Sequence, residues 1–100
     1  LLENCVLLEL KRRDRIVFFY HGNYECDFVV REGQKIKQAI QVCYALEPHN
    51  EKRELQGLQK AMEEFHLQEG LLLTYDQEKV ITVKKKKITI MPVWKWLLKK

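Results

Sequence analysis

Two runs, Tyr24-Glu25-Cys26-Asp27-Phe28-Val29-Val30 and Ala39-Ile40-Gln41-Val42-Cys43-Tyr44, decide how this chain is read. Both are rich in β-branched and aromatic residues, the composition of strands. Each also carries a polar residue inside it, Asp27 in the first and Gln41 in the second. Aspartate is depleted in strands, so its presence calls for a reason. Alternation places Gln41 and Cys43 on one face of the second strand and Ile40, Val42 and Tyr44 on the other. Glu32-Gly33-Gln34 is turn chemistry between the two, with Ile36 leading in. Upstream, residues 16–20 form a further β-type run, joined across His21-Gly22-Asn23. A hairpin followed by a third strand is expected.

Outward from this core, residues 1–13 read as a helix. Its apolar residues Leu1, Leu2, Cys5, Val6, Leu7, Leu8 and Leu10 nearly encircle it, which predicts a buried helix. Lys11, Arg12 and Arg13 close it, where cations suit the helix C-terminus. Glu3 shares a stripe with Leu7 and Leu10, so it is a carboxylate on a face expected to be buried. Downstream, Asn50 is placed to cap a helix over residues 51–67, whose Leu55, Leu58, Met62 and Phe65 make an apolar stripe. Gly70 restarts the chain, and residues 71–75 are apolar enough for a central strand. Residues 80–83 and 88–91 flank Lys84, Lys85, Lys86 and Lys87 as a second hairpin. Pro92 should open a short last helix, docked through Trp94, Leu97 and Leu98. Trp94 and Trp96 cannot share a face, so one is expected in the core and the other outside. The expected order is α-β-β-β-α-β-β-β-α, a mixed α/β sheet flanked by helices.

One hundred residues make one domain, here residues 1–100. With 46% hydrophobic and 32% charged residues, the chain is globular rather than disordered. A net charge of +4 tolerates a nucleic-acid partner without demanding one. Cys5, Cys26 and Cys43 form no C-x-x-C pair, so they read as reduced, buried thiols of a cytoplasmic protein. His21, His49 and His66 lack metal-ligand spacing to them. No stretch is long enough for a membrane span, and no signal peptide is recognised. The start at Leu1 inside a helix predicts a piece of a longer polypeptide.

A helical Glu, a hairpin with Asp on its second strand, and a strand at the place of an acid-x-Lys motif resemble the PD-(D/E)XK nuclease-like superfamily. A closer resemblance is to a domain of unknown function at the C-terminus of prokaryotic, notably archaeal, AAA-type ATPases. The matching stretches are Leu1-Leu2-Glu3-Asn4-Cys5-Val6 with Glu9-Leu10, the Asp27 and Gln41 strands, and Met91-Pro92-Val93-Trp94-Lys95-Trp96-Leu97-Leu98. The resemblance implies a restriction-endonuclease-like fold. In active members, strand carboxylates hold Mg²⁺, the metal activates water, and the lysine assists at the phosphate. By that resemblance Glu3 is the helical acid and Asp27 the first strand acid. Gln41 stands at the second acid and Cys43 at the lysine. A carboxylate has become an amide and the cation is lost, which predicts a catalytically degenerate site. Cys43 has no neighbouring base to make it a nucleophile.

Lys84, Lys85, Lys86 and Lys87 form one basic cluster, and Arg12, Arg13 and Arg15 a second. Together with Asp27 on one face they would make a phosphate-tracking surface. The expected function is a DNA-binding or accessory module of an AAA-type ATPase. The alternatives are a divalent-metal-dependent DNA nuclease and a protein-binding or dimerisation module. The expected partners are its upstream ATPase part, DNA and a second copy of itself. No cofactor is expected in the domain, except Mg²⁺ if the site is active. ATP would bind upstream, since these residues hold no P-loop.

Overall fold

The computed structural model describes residues 2–21 and 25–99. Its elements run α1 (Leu2–Arg12), β1 (Ile16–His21), β2 (Glu25–Glu32), β3 (Lys35–Val42), α2 (Glu51–Glu64), β4 (Glu69–Thr74), β5 (Lys79–Val83), β6 (Lys86–Pro92) and α3 (Val93–Leu97). This is the α-βββ-α-βββ-α order expected from the sequence. The turn assigned to His21-Gly22-Asn23 lies outside the described residues. β3 starts four residues earlier than the apolar run and stops at Val42, so Cys43 and Tyr44 fall just past its end.

The six strands form one sheet in the order β1-β2-β3-β4-β6-β5. β1, β2 and β3 pair antiparallel, β3, β4 and β6 pair parallel, and β5 returns antiparallel along β6. The parallel centre requires crossovers, and α2 and the β5 hairpin arm supply them. The C-terminal ends of β3, β4 and β6 therefore lie together at one end of the sheet.

Alternation divides the core between two faces. Phe28, Val30, Ile40, Val42 and Leu73 face α1 and α3, against Val6, Leu10, Val93 and Trp96. Val29, Ala39, Leu72, Ile88 and Ile90 face α2, against Leu58, Ala61 and Met62. Leu55 and Phe65 complete the α2 stripe, half-buried. α2 lies close on β4 because Gly70 leaves room. A Cβ there would stand 2.5 Å from Met62 Sδ and 3.2 Å from two Leu58 methyls.

Several local expectations are corrected. α1 is not buried all round: only Val6 and Leu10 are buried, while Cys5 and Leu8 are exposed. A helix lying on one sheet face has one side left to solvent. Cys43 is half-buried, and the Cys26 side chain lies outside the described residues. Asn50 stands at the N-cap position of α2, but its side chain makes no cap bond. Instead it accepts the Glu47 N–H (2.9 Å) and donates to the Ala45 carbonyl (3.1 Å), tying down the preceding loop. α1 and α2 both end in Schellman geometry. Asp14 (φ 59°) and His66 (φ 57°) take the left-handed position usually held by glycine, while Arg15 N–H reaches the Leu10 carbonyl and Leu67 N–H the Met62 carbonyl. The second hairpin turns on Lys84 and Lys85 alone, both at positive φ, and Lys86 and Lys87 belong to β6. Pro92 is the N-cap of α3, not its first residue, and α3 docks through Val93 and Trp96. Trp94, Leu97 and Leu98, expected to dock it, are exposed.

Candidate functional site

The β2–β3 ladder ends at the Phe28–Ile40 pair. One residue beyond, side chains take over from the backbone. Asp27 Oδ2 accepts the Val42 N–H at 2.8 Å, and the Asp27 N–H donates to Gln41 Oε1 at 3.0 Å. Amides left unpaired where two strands part need partners. Each strand here lends a side chain to the other's backbone. That is a structural reason for an aspartate and a buried glutamine inside strands.

The other end of the Gln41 amide is also used. Its Nε2 donates to Glu54 Oε1 at 2.9 Å. Glu54 sits in the first turn of α2, four residues before the buried Leu58, so it heads the row that packs on the sheet. Glu54 is not among the residues that the sequence singles out. The available signal was a carboxylate placed on the same helical row as Leu58. Glu3, on α1, is exposed rather than buried. Its carboxyl nonetheless lies near enough to the Asp27 side chain to raise that group's pKa. The structure thus joins Glu3, Asp27, Gln41 and Glu54, drawn from α1, β2, β3 and α2.

The electrostatics follow from this crowding. Asp27 is pushed up to about 7. Burial is the main cause, opposed by the Val42 N–H and reinforced by the hydrogen bond and charge of Glu3 and the charge of Glu54. Cys43 lies beside this group. Its thiol donates to the Ala45 carbonyl at 3.2 Å. Burial and then the charge of Glu54 push the thiol up, the reverse of what a nucleophile requires.

The donor set does not fit Mg²⁺, which wants several free oxygen ligands. One Asp27 oxygen holds the Val42 N–H, and Gln41 points its NH₂ at Glu54. Among the described residues no three His, Cys, Asp or Glu side chains are grouped to hold a metal ion. Arg53 approaches Glu54 at 3.5 Å, but from solvent, on a largely exposed side chain.

The basic clusters do not share a surface with Asp27. Asp27 adjoins the C-terminal ends of the parallel strands, whereas Lys84 and Lys85 turn at the N-terminal end of β6. Gln38 and Val42 alone span about 13 Å along β3. Arg12 and Arg13 both bind Glu9, at 2.7 and 2.6 Å. Their hydrogen bonds, Arg12 first, hold its carboxyl down at about 2. Arg13 also donates to the Trp96 and Lys99 carbonyls and lies 4.8 Å over the Trp96 ring, so it fastens α1 to α3. Arg15 reaches Glu32 at 3.4 Å. At the Asp27 end of the sheet, exposed Tyr44 and Tyr75 stack with centroids 5.0 Å apart, a pair the sequence did not announce. Among the described residues no helix is long and apolar enough to cross a membrane.

No protein-family model matches the chain, and no solved structure does. The chain is similar to the uncharacterized protein MJ1544 of Methanocaldococcus jannaschii, at 39% identity over 109 aligned positions that take in 98% of this chain. It is thus homologous to part of an archaeal protein, spanning 24% of that relative's length.

Proposed function

We propose that this domain is a catalytically degenerate relative of PD-(D/E)XK nucleases that serves as a DNA-binding or accessory module of a larger, AAA-type ATPase. The observation that carries the reading is the Gln41 amide. It bridges the Asp27 backbone and the Glu54 carboxylate at the position where an active member of that superfamily has a second acid. With Cys43 two residues on, the strand lacks both the acid and the cation. A missing charge-stabilising group alone costs orders of magnitude in rate. The mixed sheet, with a β1-β2-β3 meander leading into a parallel centre, agrees with a nuclease-like ancestry. The match to about a quarter of a longer archaeal relative supports a place within a larger chain. ATP binding would then belong to the rest of that chain.

The test is cleavage of plasmid and oligonucleotide DNA by the full-length protein in Mg²⁺ or Mn²⁺. No cleavage is expected, with or without Asp27→Ala. Metal-dependent cleavage abolished by Asp27→Ala would overturn the reading in favour of a working nuclease. A second reading, a protein-binding or self-association module, draws on α3. Trp94 is 59% and Leu98 74% exposed beside Leu97, which makes an apolar surface on a short helix. Light scattering of Trp94→Ala against the parent tests it: an unchanged mass and an unchanged association with the ATPase part would remove this reading.

A further inference from the structure

α1 and α3 cover only part of their sheet face. The uncovered remainder is an open groove of about 580 Å³ at the N-terminal ends of β3, β4 and β6. Arg15, Lys37, Lys87 and Lys99 line it, with Arg13 on one wall. Arg13 is committed to Glu9 and to the end of α3, and Arg15 reaches Glu32 at 3.4 Å. Lys37, Lys87 and Lys99 make no ion pair among the described residues, and all three are exposed. One acid, Glu69, shares the lining. The floor includes Gln38 and Thr89, neutral groups that can hydrogen-bond a phosphate oxygen.

We infer that this groove binds the phosphodiester backbone of a nucleic acid. The inference rests on the reading of the domain as a DNA-binding module and gives that reading a surface, away from the degenerate site. Three free lysines and a weakly paired arginine on several elements make a row of cations, which suits a ligand with repeating charge more than a single anion. The one aromatic residue of the lining, Trp96, is 5% exposed, so bases have nothing to stack on. The groove therefore tracks backbone and reads no sequence.

Fluorescence anisotropy of labelled 20-nucleotide DNA and RNA strands with the full-length protein, from 50 to 200 mM KCl, tests this. Wild type should bind either strand regardless of sequence, with affinity falling steeply as salt rises. Lys37→Glu with Lys87→Glu should weaken binding at least tenfold at 100 mM KCl. It should also reduce the steepness of log affinity against log salt by about 1.4, the share of two phosphate contacts on a single strand. Lys52→Glu with Lys79→Glu, the same charge change at the other end of the sheet, should change affinity less than threefold. Wild-type binding unaffected by the groove pair would overturn the groove and leave a DNA-binding module standing. No salt-sensitive binding by wild type would overturn both. Polyglutamate competing as well as DNA at equal charge would reassign the groove to an acidic protein and overturn the inference.

Discussion

Gln41→Glu should destabilise this domain by about 2–4 kcal/mol at pH 7.5. Gln41 is 6% exposed and uses both ends of its amide. A carboxylate can still accept the Asp27 N–H. It cannot donate to Glu54, now 2.9 Å from Nε2. Losing a hydrogen bond to a charged group costs about 1.5–3 kcal/mol. Two ionised carboxylates at that separation would add several more at an effective dielectric of about 20. The pair avoids the full repulsion by taking up a proton. Keeping a glutamic acid protonated at pH 7.5 costs about 4 kcal/mol, which sets the ceiling. The same step at pH 5.5 costs about 2.7 kcal/mol less. Urea denaturation followed by circular dichroism at the two pH values measures both quantities. The variant should recover up to about 2.7 kcal/mol relative to wild type on acidification. A variant as stable as wild type at pH 7.5, or one equally destabilised at both values, would refute the amide bridge as drawn.

Asp27 carries its own pH dependence. Its folded value, about 7, lies above the ordinary carboxyl value of 3.8, so the folded state holds a proton that the unfolded chain releases. The Asp27 contribution to stability is then greatest below about pH 4 and is lost as pH rises through about 7. Asp27→Asn imitates the protonated form and should flatten that dependence. After allowance for solvent screening it should gain on the order of 1–2 kcal/mol at pH 8; a loss of stability at pH 8 would show Asp27 working as a carboxylate. Gly70→Ala should cost about 1–3 kcal/mol in thermal or urea unfolding, because the new methyl meets Met62 and Leu58. Combined with Met62→Ala it should be less than additive, and full additivity would refute the close approach. Arg13→Ala should cost about 1–3 kcal/mol in the same assay, by releasing the end of α3 and the Trp96 face, with Trp96 fluorescence shifted to the red; an unshifted spectrum would contradict the clasp.

The amino-acid sequence by itself determined the elements and their order, since apolar periodicity and turn residues are local. Leu58 and Met62 mark their helix and Ile40 and Val42 their strand in any context. It also singled out Asp27 and Gln41, because polar residues break a β-type run visibly. It misjudged α1, where Leu8 looks as apolar as Leu10 and only the packing on one sheet face separates them. It could not announce the left-handed Asp14, His66, Lys84 and Lys85, since none is a glycine. The tertiary structure alone decided which polar groups meet. Glu54 reaches Gln41 because α2 crosses over the end of β3, a separation of thirteen residues bridged by the fold. It likewise set the lysine turn and Asp27 at opposite ends of the sheet, through the parallel pairing of β3, β4 and β6. Strand direction is a property of the chain's path between strands, and no residue within a strand encodes it.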